Sequence, residues 1–191
     1  MNADFIFDKE YKNNIFAEYE IKFKEFENCT FNHCDFTLCN FLGTVFIDCT
    51  FYHCNFKEAQ VGHVGLRNAI FNDCNFTSVN FAMTDQILHE FYFNNCLLDY
   101  AQFYALKLKR ISFTNCSMVS VDFMKTDLSE ALFDNCNLRL AVFTDANCEK
   151  TDFYSSYDFA IDPEKTKLKK AIFSSEGIKG LLAKYNLVIK D

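Results

Sequence analysis

The sequence predicts an all-β solenoid, built from short extended segments wound into stacked coils. Three observations carry this. Phe31, Phe51, Phe71, Phe93, Phe113, Phe133 and Phe153 recur at a spacing of 20, 20, 22, 20, 20 and 20. Each interval divides into fives, a period that fits neither a helix at 3.6 nor a flat strand at 2. Two residues before each large apolar residue stands another small or apolar one, as in Cys34, Cys54, Cys74, Ala69 and Val79. With the large residue called i, positions i−2 and i share one side of a short extended stretch, as strand alternation requires. The remaining residues turn a corner. Four such sides close a square, and one circuit of it is a coil.

Residues 1–13 are read as an N-terminal cap. From Phe16 the centres run Ile21, Phe26, Phe31, Phe36, Phe41 and onward to Phe81, and a second run goes from Leu88 to Phe153. Residues 14–155 are therefore the coiled body, about seven coils of four units each. From Phe81 to Leu88 the step is seven instead of five, which places a two-residue insertion within 82–87. That stretch has neither Gly nor Pro and makes a poor domain linker, so the insertion reads as a corner bulge in one continuous stack. Lys24, at an i−2 site, falls in the first coil, where it reaches solvent. Residues 156–191 form the C-terminal segment. Within it 157–170, holding the only proline, Pro163, reads as a loop, and 171–173 as one late unit. Ser174 or Ser175 then caps a short helix over 174–186, with Glu176 near its positive end. Ile178, Leu181, Leu182 and Tyr185 follow i, i+3, i+4, i+7. That stripe suits either packing on the last coil or a homodimer interface. Gly177 and Gly180 weaken the helix.

Nine of the ten cysteines, all but Cys148, occupy i−2 sites. Stacked neighbours about 4.8 Å apart lie beyond the Cβ separation a disulfide prefers. Reduced cysteine acting as a small buried hydrophobe fits better. No apolar run approaches the roughly 18 residues that a membrane span needs, and no signal peptide is visible. A cytoplasmic protein away from membranes is expected.

The formal net charge is −7. Residues 12–155 carry 18 acidic and 11 basic side chains, whereas 156–191 carry 5 and 7. An acidic body disfavours direct nucleic-acid binding, which needs Lys and Arg against phosphate, and favours a basic partner. The five glycines include no nucleotide-binding motif. A core filled with Phe and Leu leaves no room for a cofactor, so neither a cofactor nor catalysis is expected. His33, His53 and Asp73 stack on one corner, where a shared metal competes with three solvated side chains. The solvated reading is preferred. Asn95, Asn115 and Asn135 continue that column as an amide ladder.

The segments CDF (34–36), CNF (54–56), CNF (74–76), VDF (121–123), CNL (136–138) and TDF (151–153) match the first three positions of A(D/N)LXX. On these the chain resembles the pentapeptide-repeat proteins, and the resemblance implies a right-handed quadrilateral β-helix. Residues 31–56 resemble the early coils of the Qnr-type quinolone-resistance subgroup. That implies a dimeric acidic rod that mimics DNA and binds a type II topoisomerase, DNA gyrase or topoisomerase IV. Glu27, Asp48, Asp73, Asp99, Asp122, Asp134 and Asp145 would supply the acidic surface, and Ile178, Leu181, Leu182 and Tyr185 the dimer contact. The projecting loops of that subgroup are absent from 16–81, which no insertion interrupts. The alternative is a structural or interaction scaffold with another protein partner.

Overall fold

The computed structural model describes residues 4–84 and 89–188. Ten strands pair, always parallel, in one sheet: β1 (Asp4–Phe7), β2 (Glu10–Lys12), β3 (Lys24–Glu27), β4 (Thr30–Asn32), β5 (Val45–Ile47), β6 (Thr50–Tyr52), β7 (Gly65–Asn72), β8 (His89–Asn94), β9 (Ser112–Thr114) and β10 (Leu132–Asp134). Paired residues are one coil apart in sequence, as in Phe31 with Phe51 and Phe93 with Phe113. Across the insertion Leu66 pairs with His89, the register shifts between Leu66 and Ala69, and from Ala69 with Phe91 onward the pairing joins Phe71 to Phe93, so the Phe31 column resumes in step. Backbone bonds run to the coil above and the coil below: His33 N–H donates to Tyr52 O at 2.9 Å, and Thr50 N–H to Cys29 O at 3.0 Å. Single bridges at the same spacing join the other sides, such as Asp35 with Asn55 and Lys107 with Asp127. Of the segment expected to hold the two extra residues, 85–87 lie outside the described residues, as does Leu88.

Sides A, B, C and D denote the outer surfaces over the columns of Phe31, Phe36, Phe41 and Phe46. Inside, Phe31 through Phe153 are all buried and form one stack. Ring centroids lie 4.7 to 5.6 Å apart with planes within 20° of parallel. Neighbouring columns meet edge-on, as Phe51 with Phe56 at 71° and Phe46 with Phe51 at 82°. Rings thus stack along the axis and present edges across it, both favourable for the aromatic quadrupole.

The column outruns the expected body at both ends. Tyr11 stacks on Phe31 at 5.0 Å, and Phe173 on Phe153 at 5.2 Å. Residues 4–12 are therefore a working coil, not a cap outside the stack: β1 pairs with β3 and β2 with β4. Ile6 and Tyr11 hold i sites there, Ile6 between Phe5 and Phe7, and Tyr11 between Glu10 and Lys12 as a tyrosine where its column elsewhere has Phe. Half-buried Lys24 accordingly sits one coil above the end. Among the described residues, strands β1 and β2 have a strand neighbour on one edge only.

Residues 157–170 are likewise a coil and not a loop. Asp158 and Pro163 fall at i, which hid the repeat, but i−2 persists in Ser156, Ile161 and Thr166, all buried. Tyr157, Lys167 and Ile172 bridge Asn137, Asn147 and Asp152, each one coil back. Phe159 fills the core in place of an i residue at 158.

The C-terminal helix is two 3₁₀ segments, Gly177–Leu181 and Ala183–Tyr185. A turn of three aligns Gly177 with Gly180, and both face Phe159. A Cβ on Gly180 would lie 2.3 Å from Phe159 O and 2.7 Å from its ring. The glycines that weaken an α-helix here allow the segment to lie flat on the last coil. Ile161 N–H donates to Gly180 O, and Lys184 pairs with Asp162 and Glu164 at 2.7 Å each.

Replacing Phe113 by Ala removes a ring from the centre of the stack and should cost about 3–5 kcal/mol in denaturant titration. Gly180→Ala should cost about 1–3 kcal/mol by overpacking and expose the C-terminal segment to protease. Gly62→Ala, whose Cβ would meet nothing nearer than 3.8 Å, should leave both readouts unchanged.

Candidate interaction surface

Polar chemistry in this molecule is divided between a buried ladder and the corners. At i−2, short side chains with a donor reach a backbone carbonyl in the coil below. Cys54 Sγ donates to Phe31 O at 3.5 Å, Cys136 Sγ to Phe113 O at 3.4 Å, and Thr126 Oγ1 to Phe103 O at 2.7 Å. Ser156 and Thr166 do the same from the last coil. Cysteine there is a small apolar filler, as expected, and also a weak donor. All ten thiols are free and buried. Burial pushes Cys49 and Cys148 up to about 12.

Corners use a second device. Asp or Asn at i−1 accepts from the backbone N–H two residues on: Asp35 from Thr37, Asn75 from Thr77, Asp122 from Met124 and Asp152 from Tyr154, at 2.8 to 3.0 Å. This Asx turn gives the D/N position of the repeat its physical role. In most units position i+2 takes positive φ, from 51° at Asn68 to 64° at Arg110 among residues other than glycine.

The seven predicted surface acids lie on all four sides. Asp73 and Asp134 belong to side A, Asp99 to B, Asp122 and Asp145 to C, Glu27 and Asp48 to D. Most have internal partners. Asp99 accepts from Ser117 Oγ at 2.6 Å and Val119 N–H at 2.9 Å. Asp134 accepts from Ser155 Oγ at 2.8 Å and Asp48 from Asn68 Nδ2 at 2.7 Å. The acids are thus corner fasteners as well as charges. The sequence reading missed a stack of cations on side D of the upper coils, which the coil register alone reveals.

His33 and His53 lie with ring centroids 4.7 Å apart, and His53 Nδ1 stands 3.9 Å from Asp73 Oδ2. Among the described residues no three His, Cys, Asp or Glu are grouped to hold a metal ion. Asn135 Nδ2 donates to Asn115 Oδ1 at 2.8 Å, one rung of the expected amide ladder.

At the C-terminal end the predicted stripe divides. Leu181 is half-buried against the core, whereas Ile178, Leu182 and Tyr185 are exposed. Tyr185 Oη donates to Glu164 at 3.0 Å. An open cleft of about 360 Å³ runs beside this segment, floored by Phe159 and edged by Tyr154, Tyr157, Asp158 and Glu176. Between the core rings around Phe51 and Phe71 the free volume is about 20 Å³. No helix among the described residues is long and apolar enough to cross a membrane.

Family models described as "Pentapeptide repeat region" and "Pentapeptide repeats (8 copies)" match residues 86–157 and residues 25–60 and 54–85 respectively. No curated protein matches the sequence. Among solved structures, a trypsin-treated variant of QnrB1, a plasmid-mediated fluoroquinolone resistance protein, is 17% identical over 98% of each chain, with a TM-score of 0.64. HetL of Nostoc sp. strain PCC 7120, involved in heterocyst differentiation regulation, is 10% identical over 90% of this chain and 87% of its own, with a TM-score of 0.47. The first likeness shows the fold, a right-handed four-sided β-helix.

Two measurements check the thiol ladder. Cys116→Thr keeps a donor of the kind Thr126 supplies and should cost under about 1 kcal/mol, while Cys116→Leu should cost about 1–3 kcal/mol by overpacking. The Cys49 thiol ordinarily ionises at 9.0 and is held up to about 12 in the fold. Unfolding above pH 9 therefore releases protons, so this stabilisation is complete below pH 9 and is lost as pH rises toward 12. The denaturant midpoint should fall between pH 8 and pH 10.5, and less so in Cys49→Thr.

Proposed function

Because the chain belongs to the pentapeptide-repeat family, we propose that it is an acidic, rod-shaped binding protein that performs no chemistry of its own. It meets a protein partner, in the cytoplasm, through its outward sides. The supporting observation is where its reactive groups lie. The thiols are buried, many carboxylates fasten corners, the interior is filled with rings, and the clefts beside the C-terminal segment are open.

A second reading names the partner, a type II topoisomerase such as DNA gyrase or topoisomerase IV, engaged by DNA mimicry. The end-to-end likeness to QnrB1, a fluoroquinolone resistance protein, favours it. Such a partner is two-fold symmetric, and a homodimer joined at the C-terminal end would match it. Exposed Ile178, Leu182 and Tyr185, with Ile172, Leu187 and Val188 also exposed in that segment, are the apolar surface for the contact. Leu181 contributes by seating the segment on the core.

A gyrase supercoiling assay with and without quinolone tests the named partner: protection at stoichiometric protein supports it, and unchanged inhibition removes it while leaving the binding rod. Light scattering should give a dimer at tens of micromolar, and Leu182→Asp should yield folded monomers. A monomeric wild type overturns the C-terminal contact.

A further inference from the structure

Side D of residues 107–170 differs in charge from the rest of the rod. In-register stacking superposes Lys107, Asp127, Asn147 and Lys167 through bridges between successive coils. The same register superposes Arg110, Glu130, Lys150 and Lys170, through backbone bonds from Arg110 N–H to Ser129 O, Glu130 N–H to Glu149 O and Lys150 N–H to Lys169 O. With Lys109 and Lys169, side D carries seven cations over these four levels against the carboxylates of Asp127, Glu130 and Glu149. This excess of four positive charges lies on a chain whose formal net charge is −7.

The carboxylates leave most of this charge free. Glu130 alone meets Lys109 at 3.4 Å, Arg110 at 2.9 Å and Lys150 at 3.7 Å. Asp127 accepts from Asn147 Nδ2 at 2.9 Å and Ser129 N–H at 3.0 Å, within its own corner. No ion pair holds Lys107, Lys167, Lys169 or Lys170 among the described residues, and all four are exposed.

We propose that this side is a docking surface for a short acidic peptide segment of a partner protein. Three coil steps of about 4.8 Å make the patch about 14 Å long, the span of four or five extended residues at about 3.3 Å each. A long duplex fits it poorly, because its phosphates continue past the patch along an acidic rod. Single-stranded nucleic acid lacks stacking partners, since side D here presents no aromatic side chain. The surface is separate from the acidic-rod reading and stands without it.

Fluorescence anisotropy with the full chain and a labelled hexaglutamate peptide tests this. Binding should be measurable in 50 mM salt and weaken steeply as salt rises. The triple variant Lys167→Glu, Lys169→Glu, Lys170→Glu should lose at least about tenfold in affinity. A control of equal charge change on sides A and B, Lys12→Glu, Lys57→Glu, Arg139→Glu, should stay within about twofold. If the reversal disturbs the far-ultraviolet spectrum, the neutral pair Lys167→Gln, Lys169→Gln replaces it, with a smaller loss expected. A labelled 20-base-pair duplex should bind at least about tenfold more weakly than the peptide. Absence of peptide binding, equal losses in both triple variants, or tighter binding of the duplex would each overturn the proposal.

Discussion

Backbone bonds between successive coils fix everything else in this molecule. They set each coil over the last in one register, and a slip of one residue would turn the inward set outward. The chain instead accepts two extra residues between Phe71 and Phe93, and the ring stack continues across them at 5.4 Å. Once register holds, the interior follows. Large side chains at i stack on their own kind, and each i−2 position lies beside a carbonyl that a thiol or hydroxyl can reach. Cysteine, threonine and serine thus exchange at one structural position for a single reason.

The repeat was legible because Phe marks i with few exceptions, and it became illegible where i changed character. Tyr11 holds an i site, but its neighbours Glu10 and Lys12 made it look like surface. In the last coil Asp158 and Pro163 occupy i and only the i−2 set, Ser156, Ile161 and Thr166, carries the register. A reading that weighted both positions equally would have followed the coil to Phe173. The 3₁₀ cap was illegible for another reason: the periods 3.0 and 3.6 are hard to separate over so short a segment. Gly177 and Gly180 make sense only against Phe159, a contact between distant parts of the pattern.

Composition alone overstated the acidic surface. A chain of −7 suggests a uniformly negative rod, yet a repeat that places Asp or Asn at many corners accumulates carboxylates for local geometry. Asp35, Asp122 and Asp152 each accept a backbone N–H, and Asp99 and Asp134 tie successive coils together. Charge is also sorted by side. Folding the sequence into coil-length columns brings together Lys107, Arg110, Lys150, Lys167 and Lys170, from levels that lie whole coils apart in the linear chain. For a solenoid, the meaningful electrostatic unit is the column.

The one-sided pairing of β1 and β2 has a consequence for how such rods behave in a crowd. In higher coils the equivalent groups bond to the coil below, as Thr30 N–H does to Lys9 O and Thr50 N–H to Cys29 O. The lowest coil therefore ends in a template that a further strand of any origin would fit. Its five acids, Asp4, Asp8, Glu10, Glu18 and Glu20, outnumber its three lysines, Lys9, Lys12 and Lys22, so two such ends carry the same net sign. Repulsion between two such edges opposes end-to-end pairing of strands, a stop code written in charge.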